Sequence, residues 1–325
     1  MTCQYKYNIV CIANDDYAQH TGVMLSSLLE HSSCPCQIFL LTNALADCNK
    51  RKLEDVVKQY PESTILFIEN NNTEWNFPGF SIGGNVKKWN PIMYIKLFLP
   101  SLLPSTIDRV LFLDADLIIN TDIKDLYEMD LSKCIIAAAE DWKYSYFHKE
   151  RLKLQPEAYY INSGVMMVNL SQWRKLNQQS PIKQFMINNK DYIINDQDAF
   201  ALYFQNKIQY ISQKWNATTY YFERKPRVYD KYLPIVNDIR KNPYIIHFCE
   251  PIKPWYRECR HPYKKLYKKY LKQTPWKNYK FPSCELHFGK PAWRYIVKHW
   301  LNLYHLRQDD WAMISLKEQY KHEKK

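Results

Sequence analysis

The chain has 325 residues, of which 46% are hydrophobic, 15% aromatic and 24% charged, with a formal net charge of +12. That apolar content excludes a disordered chain, which lacks the surface to offset its ordering entropy, and six glycines exclude a collagen-like or glycine-rich polymer. No run approaches the roughly 20 apolar residues of a membrane-spanning helix, and the five apolar residues Ile9–Ala13 fall short of the ~7–15 of a signal peptide, so secretion by that route is not expected.

In chain order, Asn8–Ala13 is a short apolar run ending in Asn14-Asp15-Asp16, as a buried strand leaving its sheet would be. Gly22–Leu29 is helix-like, Cys36–Leu41 strand-like, Asp47–Gln59 helix-like and Thr64–Ile68 strand-like. Strands alternating with helices imply a parallel sheet with crossover helices, and ligands in such sheets bind beyond the carboxyl ends of strands. Asn70–Asn85 is a long polar loop, and Pro91–Leu103 is apolar and helix-like. Asp108–Asn120 contains RVLFLDADLIIN, a buried strand that abruptly carries two carboxylates. Ile135–Ala139 and Ser163–Val168 are further strands, Ala199–Phe204 is helical, and Tyr244–Phe248 is a strand reaching His247. The length is compatible with two domains or one large α/β unit.

The nine cysteines are scattered without a Cys-x-x-Cys pair, so no zinc ribbon is indicated and mostly reduced thiols are expected. Both glycine-built phosphate cradles, G-x-G-x-x-G and G-x-x-x-x-G-K-[ST], are missing from the sequence. If the sheet binds a nucleotide, metal and side chains must hold the phosphates.

The charge is unevenly placed. Residues 251–325 carry 18 Lys/Arg against 6 Asp/Glu, whereas the first 250 residues carry 27 of each. The front of the chain is an ordinary body, and the rear is a basic surface that meets something anionic. Trp293, Ile296, Val297, Trp300 and Tyr304 recur at helical spacing beside Arg294 and Lys298. Cations beside aromatics suit an anionic membrane headgroup region, although a core-facing helix has the same periodicity and nucleic acid also favours such a composition.

Asp114 and Asp116 follow a buried strand and, two residues apart in extended chain, project to the same side. Two anions beside a core strand are costly unless a cation joins them, and a hard divalent metal with open positions for phosphate oxygens does so. The alternative is a strand-end turn with two solvated acids, which the apolar flanks Leu111–Leu113 and Leu117–Ile119 disfavour. In HFCEPIKPW, His247 ends an apolar strand and Lys253 sits between prolines in a stiff loop where it can face a diphosphate. Asn195-Asp196-Gln197-Asp198 is either a helix N-cap with acids in the first turn or a cluster that binds sugar hydroxyls. Tyr160–Val165 enters a strand.

Six segments in order, NIVCIANDDYA, MYIKL, RVLFLDADLII, YINSGVMMVNLSQWR, NDQDAF and HFCEPIKPW, resemble family 8 of the glycosyltransferases, closest to the lipopolysaccharide and lipooligosaccharide galactosyl- and glucosyltransferases and more distantly glycogenin. The resemblance implies an α/β fold of the GT-A type, Rossmann-like and nucleotide-binding, with a mostly parallel central sheet and a small basic helical C-terminal segment. It implies a catalytic domain over residues 1–255 and a membrane-attachment segment over 256–325. It implies metal-dependent, retaining transfer of galactose or glucose from a UDP-hexose to an oligosaccharide or glycolipid acceptor of the lipopolysaccharide core type. The enzyme would lie on the cytoplasmic face of a bacterial plasma membrane, held to its anionic surface, with no nucleic acid as partner.

By match to the family's motifs, Asp114, Asp116 and His247 would bind Mn²⁺ or Mg²⁺, with Ala115 between them, and Lys253 would hold the diphosphate. Ala13, Asn14, Asp15 and Tyr17 would line the uridine pocket, Tyr17 stacking on uracil. Lys96, Asn162, Asp196 and Gln197 would surround the donor sugar, Asp196 and Gln197 being catalytic, and Asp141 would lie toward the acceptor. Phe77–Lys88 and Tyr144–Tyr159 are the expected acceptor loops. Three positions depart from the pattern. Asn14 replaces an aspartate, Lys96 an arginine whose planar fork it lacks, and Glu250 a glycine, which puts a carboxylate near the diphosphate. Rival readings are a nucleotidyltransferase built on the same Asp-x-Asp site, releasing pyrophosphate, and a non-catalytic basic membrane- or nucleic-acid-binding module.

Overall fold

The structure, a computed structural model, describes residues 6–69, 91–284 and 292–303. Ten strands are present among them: β1 (Tyr7–Ile12), β2 (Cys36–Thr42), β3 (Thr64–Glu69), β4 (Arg109–Leu113), β5 (Leu117–Ile119), β6 (Ile136–Glu140), β7 (Ile161–Asn169), β8 (Ile208–Tyr210), β9 (Ala217–Thr218) and β10 (Ile245–His247). Seven form the main sheet in the order β3-β2-β1-β4-β7-β6-β8. All its neighbours are parallel except β7, which runs antiparallel to β4 and β6. A mostly parallel α/β sheet is therefore what the chain builds. Parallel strands are covered on both faces and read as continuous apolar runs; Val110–Leu113 of β4 are fully buried. The small sheet, β5-β10-β9, pairs β10 antiparallel with β5 and parallel with β9.

The expected elements extend or shift where local chemistry requires it. The first helix spans Asp15–His31, longer than Gly22–Leu29, because Asn14 caps it through a side-chain bond from the Tyr17 N–H and Asp15 and Asp16 complement its first turn. The apolar segment expected as a helix over Pro91–Leu103 is instead a 3-10 helix, Pro91–Phe98, followed by a one-turn helix, Leu99–Leu102. Pro100 explains the break, since an α-helix running through it would lose that N–H and clash with the Lys96 carbonyl.

Two apolar clusters flank the main sheet. One contains Phe112, Trp173, Phe200 and Phe204, the other Leu25, Leu28, Leu40 and Leu111. A third gathers on the small sheet, joining Phe222, Ile246, Phe248 and Trp255 to Tyr263, Tyr270, Ile296 and Leu303. Residues on both sides of position 255 thus share one core. The basic helix Ala292–Asn302 turns Ile296 inward and leaves Trp293, Val297, Trp300 and Leu301 exposed, dividing the apolar face expected of it. Tyr304 and the expected loops Asn70–Asn85 and Phe77–Lys88 lie outside the described residues. Cys11, Cys36, Cys48, Cys134, Cys249, Cys259 and Cys284 are free thiols. Among the described residues no helix is long and apolar enough to cross a membrane.

Candidate functional site

β1 pairs with β2 on one side and β4 on the other, so the connections diverge at its carboxyl end and open the crevice where α/β sheets bind ligands. Asp114-Ala115-Asp116 is the link by which the chain leaves β4 of the main sheet and enters β5 of the small one. His247 ends β10, in register with Leu117, and the Phe248 N–H donates to the Asp116 carbonyl at 3.1 Å. The two sheets therefore bring Asp114, Asp116 and His247 together, with ligand atoms within 4.8 Å of one another. Gly164 of β7 lies against this cluster. A Cβ there would stand 2.5 Å from His247 Cε1 and 2.8 Å from Asp114 Oδ2, so glycine is what admits both side chains where they stand.

Behind the cluster, Lys96 is buried with its Nζ 2.5 Å from Asp196 Oδ2 and 4.0 Å from Asp114 Oδ1. Its ammonium also donates to Ser163 Oγ at 3.0 Å, and the Ser163 hydroxyl donates to Asp196 Oδ2 at 3.1 Å. Asn195 caps the helix Asp196–Tyr203, accepting from the Asp198 N–H at 2.7 Å. The capping and sugar-binding readings of this segment are thus compatible, because the cap aims the next two side chains into the crevice. The Ser163 N–H donates to Gln197 Oε1 at 3.1 Å, and Gln197 Nε2 donates to Asp141 Oδ2 at 3.0 Å. Asn162 Nδ2 reaches Asp141 Oδ1 at 3.2 Å, while its Oδ1 accepts from the Gly164 N–H at 3.1 Å and from Asn216 Nδ2 at 2.8 Å. Asn216 Oδ1 lies 2.9 Å from His247 Nδ1.

Lys253 Nζ donates to Asp116 Oδ2 and to the Phe248 carbonyl, each at 2.6 Å. Tyr17 is partly exposed and meets Trp255 edge-on, ring centres 6.0 Å apart, so the first helix and the Lys253 loop share one rim. Ala13 closes the end of β1, its N–H bonded to the Leu41 carbonyl. Asp15 does not join the cluster; its carboxylate accepts from the Ala46 N–H at 2.8 Å and Asn49 Nδ2 at 2.9 Å, serving the start of the next helix. Glu250 is held by Arg227, Nη2 to Oε1 2.6 Å, and the same guanidinium binds Glu223. Arg227 also lies over the stacked rings of Trp142 and Tyr220. The extra carboxylate is therefore tolerated because a stacked arginine neutralises it.

The electrostatics follow from these contacts. Burial alone would raise Asp116, but the Lys253 ammonium and His247 outweigh it and hold the carboxyl far below its usual range. Asp114 is raised by burial and by Asp116, against the pull of Lys96. Burial lowers Lys96, yet Asp196 and Asp114 more than compensate. Asp141 is pushed up to about 6 by burial, only partly offset by its bonds from Asn162 and Gln197. Two carboxylates and an imidazole nitrogen are a donor set that suits a divalent cation. The crevice holds four carboxyl groups, Asp114, Asp116, Asp141 and Asp196, against the ammonium groups of Lys96 and Lys253. The residues fit one divalent cation.

Ser163 and Gly164 lie in the segment Tyr160–Val165 but were given no role from the sequence, and Asn216 and Arg227 belong to no motif. A glycine inside an otherwise apolar strand marks close backbone approach, which is the signal Gly164 carried. Asn216 and Arg227 carried none, since the partners of Asn216 come from two distant strands and Arg227 meets Glu250 and Trp142 from distant loops.

A family description, glycosyl transferase family 8, matches residues 8–259. The chain is similar to general stress protein A of Bacillus subtilis (strain 168), 29% identical over 280 residues that cover 83% of this chain and 94% of that protein. It is also similar to lipopolysaccharide 1,2-glucosyltransferase of Escherichia coli (strain K12), 24% identical over 83% of this chain and 79% of that one. A solved structure, galactosyltransferase LgtC in complex with donor and acceptor sugar analogs, superposes with a TM-score of 0.68 and 20% identity over 89% of this chain and 99% of that chain. The architecture is the GT-A fold.

Proposed function

The chain belongs to glycosyl transferase family 8, and from that premise we propose that it moves a hexose, galactose or glucose, from a UDP-sugar to a saccharide acceptor with retention at the anomeric carbon. The observation that carries the reading is the convergence of Asp114, Asp116 and His247 at the carboxyl end of β4, with Lys253 and Lys96 reaching in from two sides. In this reading those three residues hold Mn²⁺ or Mg²⁺, which supplies charge stabilisation to the departing diphosphate. Ala13, Asn14 and Tyr17 receive the uridine.

Lys253 neutralises the negative charge that grows on the leaving group, the type of electrostatic stabilisation that is usually the largest catalytic contribution. Lys96, Asn162 and Asp196 orient the sugar. The anomeric carbon becomes oxocarbenium-like as its bond to the diphosphate oxygen breaks. A double displacement would need a carboxylate nucleophile, and Gln197 occupies the corresponding position with both ends of its amide engaged by Ser163 and Asp141. Retention then follows from attack on the face the diphosphate leaves. The acceptor oxygen bonds the anomeric carbon, and a departing phosphate oxygen takes the acceptor's proton.

For the acceptor, an oligosaccharide or glycolipid of the lipopolysaccharide core type, Tyr144, Tyr146, Phe147 and Tyr159 offer exposed aromatic surface. The helix Ala292–Asn302, with Trp293 58% and Leu301 61% exposed beside Arg294 and Lys298, rests on an anionic membrane surface. The deciding experiment is a screen of UDP-sugars for Mn²⁺-dependent hydrolysis, one donor at a time. Release of UDP from UDP-galactose or UDP-glucose supports the proposal, and release of pyrophosphate from a nucleoside triphosphate would replace it with nucleotidyl transfer.

A further inference from the structure

We propose that Asn216 is a positioning residue that fixes which nitrogen of His247 faces the two aspartates, through a one-way amide relay that begins on the β7 backbone. The inference rests on the metal reading of Asp114, Asp116 and His247.

A backbone N–H can only donate. The Gly164 N–H therefore requires the oxygen of Asn162, not its amino group, at the 3.1 Å contact. That places Asn162 Nδ2 against Asp141 Oδ1, a carboxylate that accepts. The same Asn162 oxygen lies 2.8 Å from the Asn216 side chain, which must present its amino group there. Asn216 consequently turns its carbonyl to His247 Nδ1, 2.9 Å away. A carbonyl only accepts, so Nδ1 bears the hydrogen, which leaves Nε2, 3.4 Å from Asp116 Oδ1, as the nitrogen available to a cation seated between them.

The neighbouring N–H fixes a second arm by the same logic. Ser163 N–H requires Gln197 Oε1, and Gln197 Nε2 falls on Asp141 Oδ2. Both arms start on consecutive backbone groups of β7 and end on the two oxygens of one carboxylate. Asn216 is fully buried, so water does not replace it. In the opposite tautomer the Nε2–H would point at the aspartates and could not ligate a cation. Partners of this kind around ligating histidines set tautomer and ring orientation, and removing one costs roughly 10–100-fold in metal affinity.

The test uses the full chain labelled with ¹⁵N-histidine, His247 being assigned by its loss in His247→Gln. Two-bond ¹H–¹⁵N spectra without metal should show the Nδ1–H tautomer. Asn216→Leu should abolish that preference and weaken Mn²⁺ binding in the presence of UDP by roughly 10–100-fold. Asn216→Asp keeps an acceptor for Nδ1–H while losing the amino group that meets Asn162 Oδ1, so it should keep the Nδ1–H tautomer. An Nε2–H tautomer in the unaltered chain, or Asn216→Leu that keeps both the tautomer and the Mn²⁺ affinity, overturns the relay. The Nδ1–H tautomer in a chain that binds no Mn²⁺ would support the relay and sink the metal reading, so the two failures are separable.

Discussion

Gly164 and His247 pack so closely that a methyl group on the glycine would stand 2.5 Å from the imidazole Cε1, a separation real side chains do not occupy. The same methyl would press on Asp114 Oδ2 at 2.8 Å. Gly164→Ala should therefore cost about 1–3 kcal/mol of stability through overpacking. It should also lower metal-dependent transfer at least about tenfold by displacing two ligands. Thermal unfolding and steady-state kinetics read the two effects. Unchanged kinetics would show that the ligands have room to move aside.

Removing the metal, or a ligand, should stop transfer. Asp114→Asn and His247→Ala should each reduce Mn²⁺-dependent turnover by roughly a hundredfold or more, since charge stabilisation at the leaving group is lost. Dialysis against EDTA should do the same, with recovery on adding Mn²⁺. Full activity after EDTA would mean the cluster is assigned the wrong task.

Asp141 gives the site a pH dependence. Its carboxyl is pushed up to about 6 by burial, and only the ionised form accepts from both Asn162 and Gln197. Transfer should fall as pH drops through about 6, and Asp141→Asn should abolish that acid limb. Stability runs the other way. A carboxyl whose folded value exceeds its unfolded one binds the proton more tightly when folded. That contribution is present below about 4 and lost as pH rises through about 6. Titrating activity and unfolding side by side separates the two signs.

Arg227 binds Glu250 and Glu223 while lying over Trp142 and Tyr220. Arg227→Ala would leave two carboxylates without their shared cation, the buried Glu223 and Glu250 at the loop that carries Lys253. Donor KM should rise by about tenfold. Arg227→Ala combined with Glu250→Gly should recover part of that loss, because one of the two freed charges goes with its partner. If the double variant is as weak as the single one, the loss stems from Glu223 or from the packing of the arginine rather than from Glu250.

The membrane proposal is tested without disturbing the core. Ile296 and Leu303 are buried in the small-sheet cluster, whereas Trp293 and Leu301 face outward. Trp293→Ser with Leu301→Ser should lower binding to anionic vesicles by at least about tenfold, each exposed side chain being worth on the order of 1.5–3 kcal/mol when buried. Transfer to a soluble acceptor should stay unchanged. Vesicle binding that survives the pair would locate attachment elsewhere.

The sheet and the juxtaposed Asp114 and Asp116 were legible in the sequence for a common reason. Long apolar runs such as Val110–Leu113 mark strands buried on both faces, and the abrupt Asp-x-Asp after one of them marks a strand end where two carboxylates gather. The 3-10 stretch over Pro91–Phe98 was hidden because its apolar content resembles a helix, and only the position of Pro100 argues otherwise. Asn216 was illegible because its role depends on which distant strands lie side by side, and Arg227 because Glu250 and Trp142 reach it from distant loops. Asp15 shows the same dependence on neighbours, since its carboxylate accepts from Ala46 and Asn49 at the start of the next helix, which no local pattern announces.

The short Asp114-Ala115-Asp116 link joins the two sheets, one carboxylate belonging to the last turn out of β4 and the other to the approach to β5. Their spacing is thus a measure of how the two β layers sit on each other. A cation seated between them would act as a rivet, stiffening β5, β9 and β10 far beyond its own coordination sphere, and any slippage of the layers would be felt first as a loosened grip on the donor.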